Sequence, residues 1–300
     1  MLDIIGKKNW YFLFSILIII PGLISMFLWG LNLSIDFTGG SRMVLLLPQK
    51  VTDDSRNTVE NIIKKEKITI VTIQPSDKQL IIKTKQINEK QNAAVLKKLQ
   101  AKIKDIKQDE FETIGPTIGS EITWNAIKSI LFASILIVFY IAWSFRTVPK
   151  QTSSWRFGVC AIIALVHDIL VLIGIFSILG HFFNVEIDSL FVTAMLTVIG
   201  FSVHDTIVVF DRIRENLRHT VNIPFAQVVN DSILQTLVRS LNTSLTAILV
   251  LVTLLIFGGP TIRWFIVALI IGITSGTYSS IFNAAQLLIV WQELRDKKKK

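Results

Sequence analysis

Hydrophobic and polar positions along this chain are organised on two scales. On the coarse scale, long apolar runs separate short polar ones. No charged side chain occurs between Lys8 and Asp36, and the stretch from Trp10 to Leu28 is almost purely apolar. At about 1.5 Å rise per residue, about 20 residues cross a hydrocarbon core of about 30 Å. This run is too long for the apolar core of a cleaved signal peptide, so an uncleaved membrane anchor is expected. Five further runs of spanning length follow, at Ile127–Phe145, Phe157–Leu179, Ser189–Phe210, Leu234–Phe257 and Trp264–Trp291. The expected class is an α-helical polytopic membrane protein with six spanning helices.

On the fine scale, the polar segment Asn32–Thr123 between the first two runs carries both soluble-protein periods. Alternating or short apolar runs predict strands at Arg42–Leu47, Ile68–Gln74, Gln79–Lys85 and Asp109–Ile114. Helices are predicted at Asp53–Glu66 and Asn88–Ile103, the second placing Val95, Leu96, Leu99 and Ile103 on one face. Pro75-Ser76-Asp77 supplies the turn between the middle strands. The order β-α-β-β-α-β is the ferredoxin-like arrangement, which hosts many unrelated functions. The expected organisation is a tail and first span (1–31), an α+β domain (32–123), a five-helix bundle (124–292) and a basic tail (293–300).

Charge changes the picture by fixing an expected orientation. The 31 Lys and Arg residues give a net charge of +9, and they flank the apolar runs. That placement fits contact with anionic lipid headgroups and argues against nucleic acid as a partner. With the amino end in the cytoplasm, Lys7, Lys8, Arg146, Lys150, Arg156, Arg212, Arg214, Arg218, Arg295 and Lys297 to Lys300 all fall on the inner side. The two short outer loops carry only Arg263. Both termini are therefore expected inside and the α+β domain outside.

Candidate chemistry sits where charge interrupts the apolar runs. A charged side chain at mid-span costs about 2.5–3.5 kcal/mol on insertion scales. His167-Asp168 lies in the third span, His204-Asp205 and Asp211 in the fourth, and Arg239 in the fifth. Depth counting from the inner ends puts Asp205 and Arg239 at matching levels on consecutive helices, where an ion pair is expected. Such a pair has two readings: a proton site whose carboxylate responds to its arginine, or a buried pair that only fixes packing. Asp211, in "FDRIREN", is expected to cap the helix or pair with Arg212, Arg214 or Arg218. Arg239, Asn242, Thr243 and Thr246 form a polar stripe, suited either to a hydrated path or to interhelical hydrogen bonds. Gly174, Gly200, Gly272 and Gly276 are expected at close helix contacts. The single cysteine, Cys160, excludes an intramolecular disulfide. No P-loop, nucleophile elbow, H-E-x-x-H or cysteine metal motif occurs, so no enzyme activity, cofactor or metal is expected and an ion gradient is the natural drive.

Five stretches carry a resemblance. "LSIDFTGGSRM" (Leu33–Met43), "IGPTIGSE" (Ile114–Glu121), "ALVHDILVLIG" (Ala164–Gly174), "GFSVHDTIVVFDRIRENLR" (Gly200–Arg218) and "RSLNTSLTAILVLVTLLIFGG" (Arg239–Gly259) resemble the SecF family of the bacterial Sec system, which shares its architecture with the RND transporters. The resemblance implies an inner-membrane subunit that pairs with SecD, acts with the SecYEG channel, and uses the proton-motive force to assist a translocating polypeptide. It implies a proton relay of Asp205 and Arg239; His204, beside that carboxylate, and Asp168, near mid-membrane, are further candidates for the relay on their own chemistry. It implies structural or interface roles for the motif residues Asp36, Gly39, Gly40, Gly115, Asp211 and Arg212. One departure is His204, where the family commonly has Asn.

Overall fold

The computed structural model describes residues 3–146, 154–219 and 223–299. Lys150 and Lys300 of the basic set counted above lie outside the described residues. The chain divides into two compact units: Met1–Leu31, Ser129–Val185 and Leu190–Lys300 form one, and Asn32–Lys128 with Glu186–Ser189 form the other.

The smaller unit is a four-stranded sheet covered by two helices. Its elements are a single helical turn α2 (Ile35–Thr38), β1 (Gly40–Leu46), α3 (Asp53–Lys65), β2 (Ile70–Ser76), β3 (Gln79–Thr84), α4 (Glu89–Lys102) and β4 (Lys107–Ile114). The strand order is β2-β3-β1-β4, antiparallel throughout, which is the split βαβ arrangement of the ferredoxin-like fold. Period-two alternation sends Met43 and Leu45 of β1 and Leu80 and Ile82 of β3 into one core with Val59, Ile62 and Ile63 of α3 and Val95 and Leu99 of α4. Burying each such side chain contributes about 1.5–3 kcal/mol. Both helices begin on capping boxes. Asn88 Oδ1 accepts from Gln91 N at 2.9 Å and Gln91 Oε1 accepts from Asn88 N at 2.9 Å, while Thr52 and Ser55 exchange bonds in the same way. On α3, Lys64 bonds Glu60 one turn earlier at 2.5 Å and holds its carboxyl below the usual range.

Strand β2 starts two residues later than the apolar run suggests. Lys67 takes a left-handed conformation (φ 60°), and Ile68 drops into the core before the ladder begins. A more consequential surprise is the four-residue segment 186–189, distant in sequence, which belongs to this unit. Leu33 and Ile187 form an isolated parallel bridge, with Ser34 N donating to Ile187 O at 2.9 Å and Ile187 N to Asn32 O at 2.8 Å. Lys83 Nζ adds an ion pair to Glu186 at 2.8 Å, its side chain only 8% exposed.

The larger unit holds most of the helical mass. Its helices are α1 (Lys8–Trp29), α6 (Ser154–Phe183), α8 (Phe225–Phe257), α9 (Arg263–Ser279) and α10 (Ala285–Lys299), together with the membrane portions of α5 (Pro116–Ser144) and α7 (Ser189–His219). A π-helical turn, Ser280–Ala284, joins α9 to α10, so that they form one continuous span. Among the described residues six helical spans have the length and apolarity to cross a membrane. Their apolar windows are 50% buried in α6 and α7 and 61% buried in the last span, against 6% in α5 and 11% in α8. Thus α6, α7 and α9–α10 form the bundle centre, while α5 and α8 present most of their surface outward.

Close packing at the centre depends on small residues. Gly22 of α1 and Gly174 of α6 meet backbone to backbone: a Cβ built on either would lie 2.8 Å from the other's Cα. Beside them Ser25 and Ser177 share a buried hydrogen bond of 2.7 Å. Gly272 and Gly276 of α9 pack against Val198 and Ser202 of α7. Gly200, by contrast, faces open space and makes no close contact, contrary to the sequence expectation.

Candidate functional site

Two buried carboxylates lie on either side of α9. Asp205 of α7 is 6% exposed, and its Oδ2 accepts from Ser244 Oγ of α8 and Thr277 Oγ1 of α9, each at 3.3 Å. These two hydroxyls are 2.5 Å apart, and each has an alternative acceptor for its single proton, a carbonyl one turn back in its own helix (Ser240 O at 3.0 Å, Ile273 O at 2.9 Å). Asp168 of α6 is fully buried and has a tighter shell. Ser202 and Ser279 both donate to its Oδ2 at 2.6 Å, Ser275 donates to Oδ1 at 2.7 Å, and His167 Nδ1 lies 3.0 Å from Oδ1. Ser275 and Ser279, four apart, share one helix face, and Thr277 between them faces the other way. That periodicity is why one helix serves both acids.

The expected Asp205–Arg239 ion pair does not form. Among the described residues no ion pair joins them, and Arg239 stands exposed on α8. Two geometric facts explain the correction. The α8 residue that meets Asp205 is Ser244, five positions further on, so Arg239 is about 7.5 Å off in depth. At about 100° per residue it also points about 140° away from Ser244. The rest of the stripe shares that outward face: Asn242, Thr243 and Thr246 are exposed, and the two threonine hydroxyls bond back to carbonyls of their own helix. His204 is likewise exposed on α7.

At the end of α7, Asp211 pairs with Arg214 at 2.5 Å, and Arg214 Nη1 donates to Ser144 O at the end of α5. Placing a cation on these terminal carbonyls also suits the helix dipole. Arg212 bonds Glu215 at 2.7 Å and reaches across to Gln235 Oε1 of α8 at 2.6 Å. These residues clasp helix ends and lie away from the buried acids.

In the smaller unit, Asp36 Oδ2 accepts from Ser189 N, the first residue of α7, at 2.9 Å. Gly39 (φ 68°) and Gly40 (φ 119°) follow it into β1. A Cβ on Gly40 would come within 2.6 Å of Thr84 O, so both the backbone angle and the space demand glycine. Gly115 is loosely placed, its nearest neighbour being the Gln86 side chain at 3.6 Å. The tight position in that motif is Gly119, where a Cβ would lie 3.0 Å from Gly39 N.

Sequence reasoning missed Ser202, Ser244, Ser275, Thr277 and Ser279. The available signal was the run "TSGTYSS" at Thr274–Ser280, whose i, i+4 hydroxyls sit inside an apolar span. Hydroxyl-lined carboxylates can take up and release a proton without a fixed counter-charge. Among the described residues no cluster of three or more His, Cys, Asp or Glu side chains is placed to hold a metal ion.

Comparison with known proteins bears on this arrangement. Residues 94–294 match the family described as protein export membrane protein SecD/SecF, C-terminal, and residues 24–47 match the SecD/SecF GG motif. The chain is 46% identical to protein translocase subunit SecF of Thermobaculum terrenum, covering 97% of this chain and 94% of that one. It is 40% identical to the SecF subunit of Anaerolinea thermophila over the same shares. A crystal structure of SecDF, a translocon-associated membrane protein from Thermus thermophilus, superposes with a TM-score of 0.83 at 32% identity. That match covers 97% of this chain but 39% of the longer SecDF chain.

Proposed function

Because this chain belongs to the SecF family of protein translocase subunits, multi-pass proteins of the bacterial inner membrane, we propose that it is the half of a two-part unit that couples proton movement to polypeptide export. The other half is a SecD protein, and the unit works beside the SecYEG channel. The longer SecDF chains, of which this chain matches 36–39%, support such a partner. So does the outward stripe of α8, because Arg239 facing lipid would cost about 2.5–3.5 kcal/mol and a partner half relieves that cost.

The observation that carries the proton reading is Asp205: a carboxylate buried in a span with two neutral hydroxyl partners at 3.3 Å and no cation bonded to it among the described residues. A carboxylate in that setting exchanges a proton at small structural cost, because its hydroxyl partners keep their own backbone acceptors. Arg239 stays charged and acts from the outward face of α8, and His204, exposed on α7 next to Asp205 in sequence, modulates the exchange. Protonation shifts α7 against α8 and α9, and the helix movement drives the outer domain's work on the emerging chain. The termini face the cytoplasm and the chain itself performs no covalent step. Export of a secreted reporter in cells carrying Asp205→Asn tests this reading. Export falls at normal abundance and normal partner association if it is right; unchanged export at normal abundance refutes it.

A further inference from the structure

A groove of about 770 Å³ opens on the side of the larger unit, between α6 and the last span, away from the two acids. Its walls are Ile163 of α6 and Leu287, Val290 and Leu294 of the last span; Ile163 and Leu294 are 45% and 57% exposed. Arg156 and Arg295 stand over one end. Arg156 Nη1 donates to Gln292 Oε1 across the helices at 2.7 Å, which fixes its guanidinium over the opening. Gln292 in turn donates to Asp296, the nearby acid, at 3.3 Å. Among the described residues neither Arg156 nor Arg295 has a carboxylate within ion-pair distance. Arginine presents several donors in a planar fork, so most of this donor capacity faces the groove mouth unsatisfied by an anion.

We propose that this groove is a binding site for an anionic glycerophospholipid, its phosphate held by Arg156 and Arg295 and its first acyl segments lying along Ile163, Leu287, Val290 and Leu294. The dimensions suit this ligand. From Arg156 to Ile163 is seven residues, about 10 Å along the helix, the depth from headgroup level to the upper hydrocarbon. Trp291, also lining the groove, belongs to the residue type that favours this interfacial level. Two positive charges with no carboxylate in ion-pair contact select an anionic headgroup over a zwitterionic one, and basic pockets between spans are a known solution for such lipids. The inference needs only that the bundle lies in a membrane. It stands or falls separately from the proton reading, whose test reads export.

The test uses the full-length chain, purified from membranes and reconstituted with equal phosphatidylglycerol and phosphatidylcholine. Native mass spectrometry then counts the lipid retained after detergent washing. The wild type is expected to keep one phosphatidylglycerol and no phosphatidylcholine. R156Q/R295Q is expected to lose that retention roughly 30-fold, from two surface charges removed. Leu287→Trp, which fills the groove and leaves both arginines, is expected to lose it as well, and Arg263→Gln at the opposite end keeps it. Equal retention of the two lipids, or undiminished retention in R156Q/R295Q with an unchanged melting temperature, overturns the proposal. So does a photo-crosslinker at Val290 that captures a protein in cells where it should capture lipid.

Discussion

Thr277 and Ser279, two residues apart on one helix, give their hydroxyls to different acids: Thr277 to Asp205 at 3.3 Å and Ser279 to Asp168 at 2.6 Å. The last span thus lies between a loosely held carboxylate and a tightly held one. The difference in hydrogen-bond length and number separates their roles. On the proton reading proposed above, Asp168 would organise packing and Asp205 would be the acid that changes state.

Asp168→Ala and Asp205→Ala should therefore fail differently. Removing Asp168 leaves up to three buried donors (His167, Ser202 and Ser275) short of an acceptor, at about 1–3 kcal/mol each, while Ser279 can turn to Gly276 O. A melting temperature lowered by many degrees and reduced abundance are expected. Removing Asp205 leaves hydroxyls that keep their backbone acceptors, so the melting temperature should move little while export is lost. Thermal unfolding in detergent beside a reporter-export assay distinguishes the two.

The outward stripe on α8 predicts a contact map. Single cysteines replacing Asn242 or Thr246 should cross-link to a SecD partner in native membranes, and one replacing Ser244 should not. Arg239→Gln should leave the isolated chain's stability within about 0.5 kcal/mol, as expected of a side chain outside any packed network. It should still reduce export. Cross-linking from Ser244 alone would mean the stripe has been assigned to the wrong face.

Glycines give a control pair. Gly22→Ala or Gly174→Ala forces α1 and α6 apart at a 2.8 Å backbone approach and strains the Ser25–Ser177 bond, costing about 1–3 kcal/mol. Gly200→Ala, in a helix with open space around it, should be neutral or stabilise by up to about 1 kcal/mol. Melting temperatures of the three variants check both statements.

The bond from Ser189 N to Asp36 makes a local prediction. A hydrogen bond to a charged acceptor contributes about 1.5–3 kcal/mol, so Asp36→Ala should speed amide exchange at Ser189 by about 10–100-fold. Amides in the α3 and α4 cores should keep their protection. Exchange measured by mass spectrometry over residues 186–189 reads this directly, and unchanged protection there would remove the role assigned to Asp36.

Much of the fold was legible because each unit follows one strong period. Alternation gave every strand of the sheet within two residues at each end, and uninterrupted apolar length gave the spans. The segment 186–189 was invisible, since a four-residue return to the distant segment 32–34 has no period of its own. In the site, the acids were legible because charge in an apolar run is costly. Their partners were not. Depth can be counted along a helix, but azimuth cannot be known until a neighbour is placed, so Arg239 was matched with Asp205 by level while pointing elsewhere. Serines in a span look the same whether they serve an acid or a backbone carbonyl.

The π-helical turn at Ser280–Ala284 acts as a change of phase in the last span's screw. The inward row Leu269, Ile273, Gly276, Ser280 would run on to Leu287 in a regular helix, yet Leu288 and Ile289 are the buried pair and Leu287 is half-exposed. One extra residue in the turn advances everything after it by about 100°. Lys8–Glu293 at 2.5 Å and Arg156–Gln292 at 2.7 Å both lie beyond that point and depend on the advance. Deleting one residue from the turn would restore a regular thread without touching either acid's hydroxyls at Ser275, Thr277 and Ser279, and would swing Gln292 and Glu293 off their partners. The two halves of this span therefore tolerate changes of side chain independently, but they cannot tolerate a change in the length of chain between them.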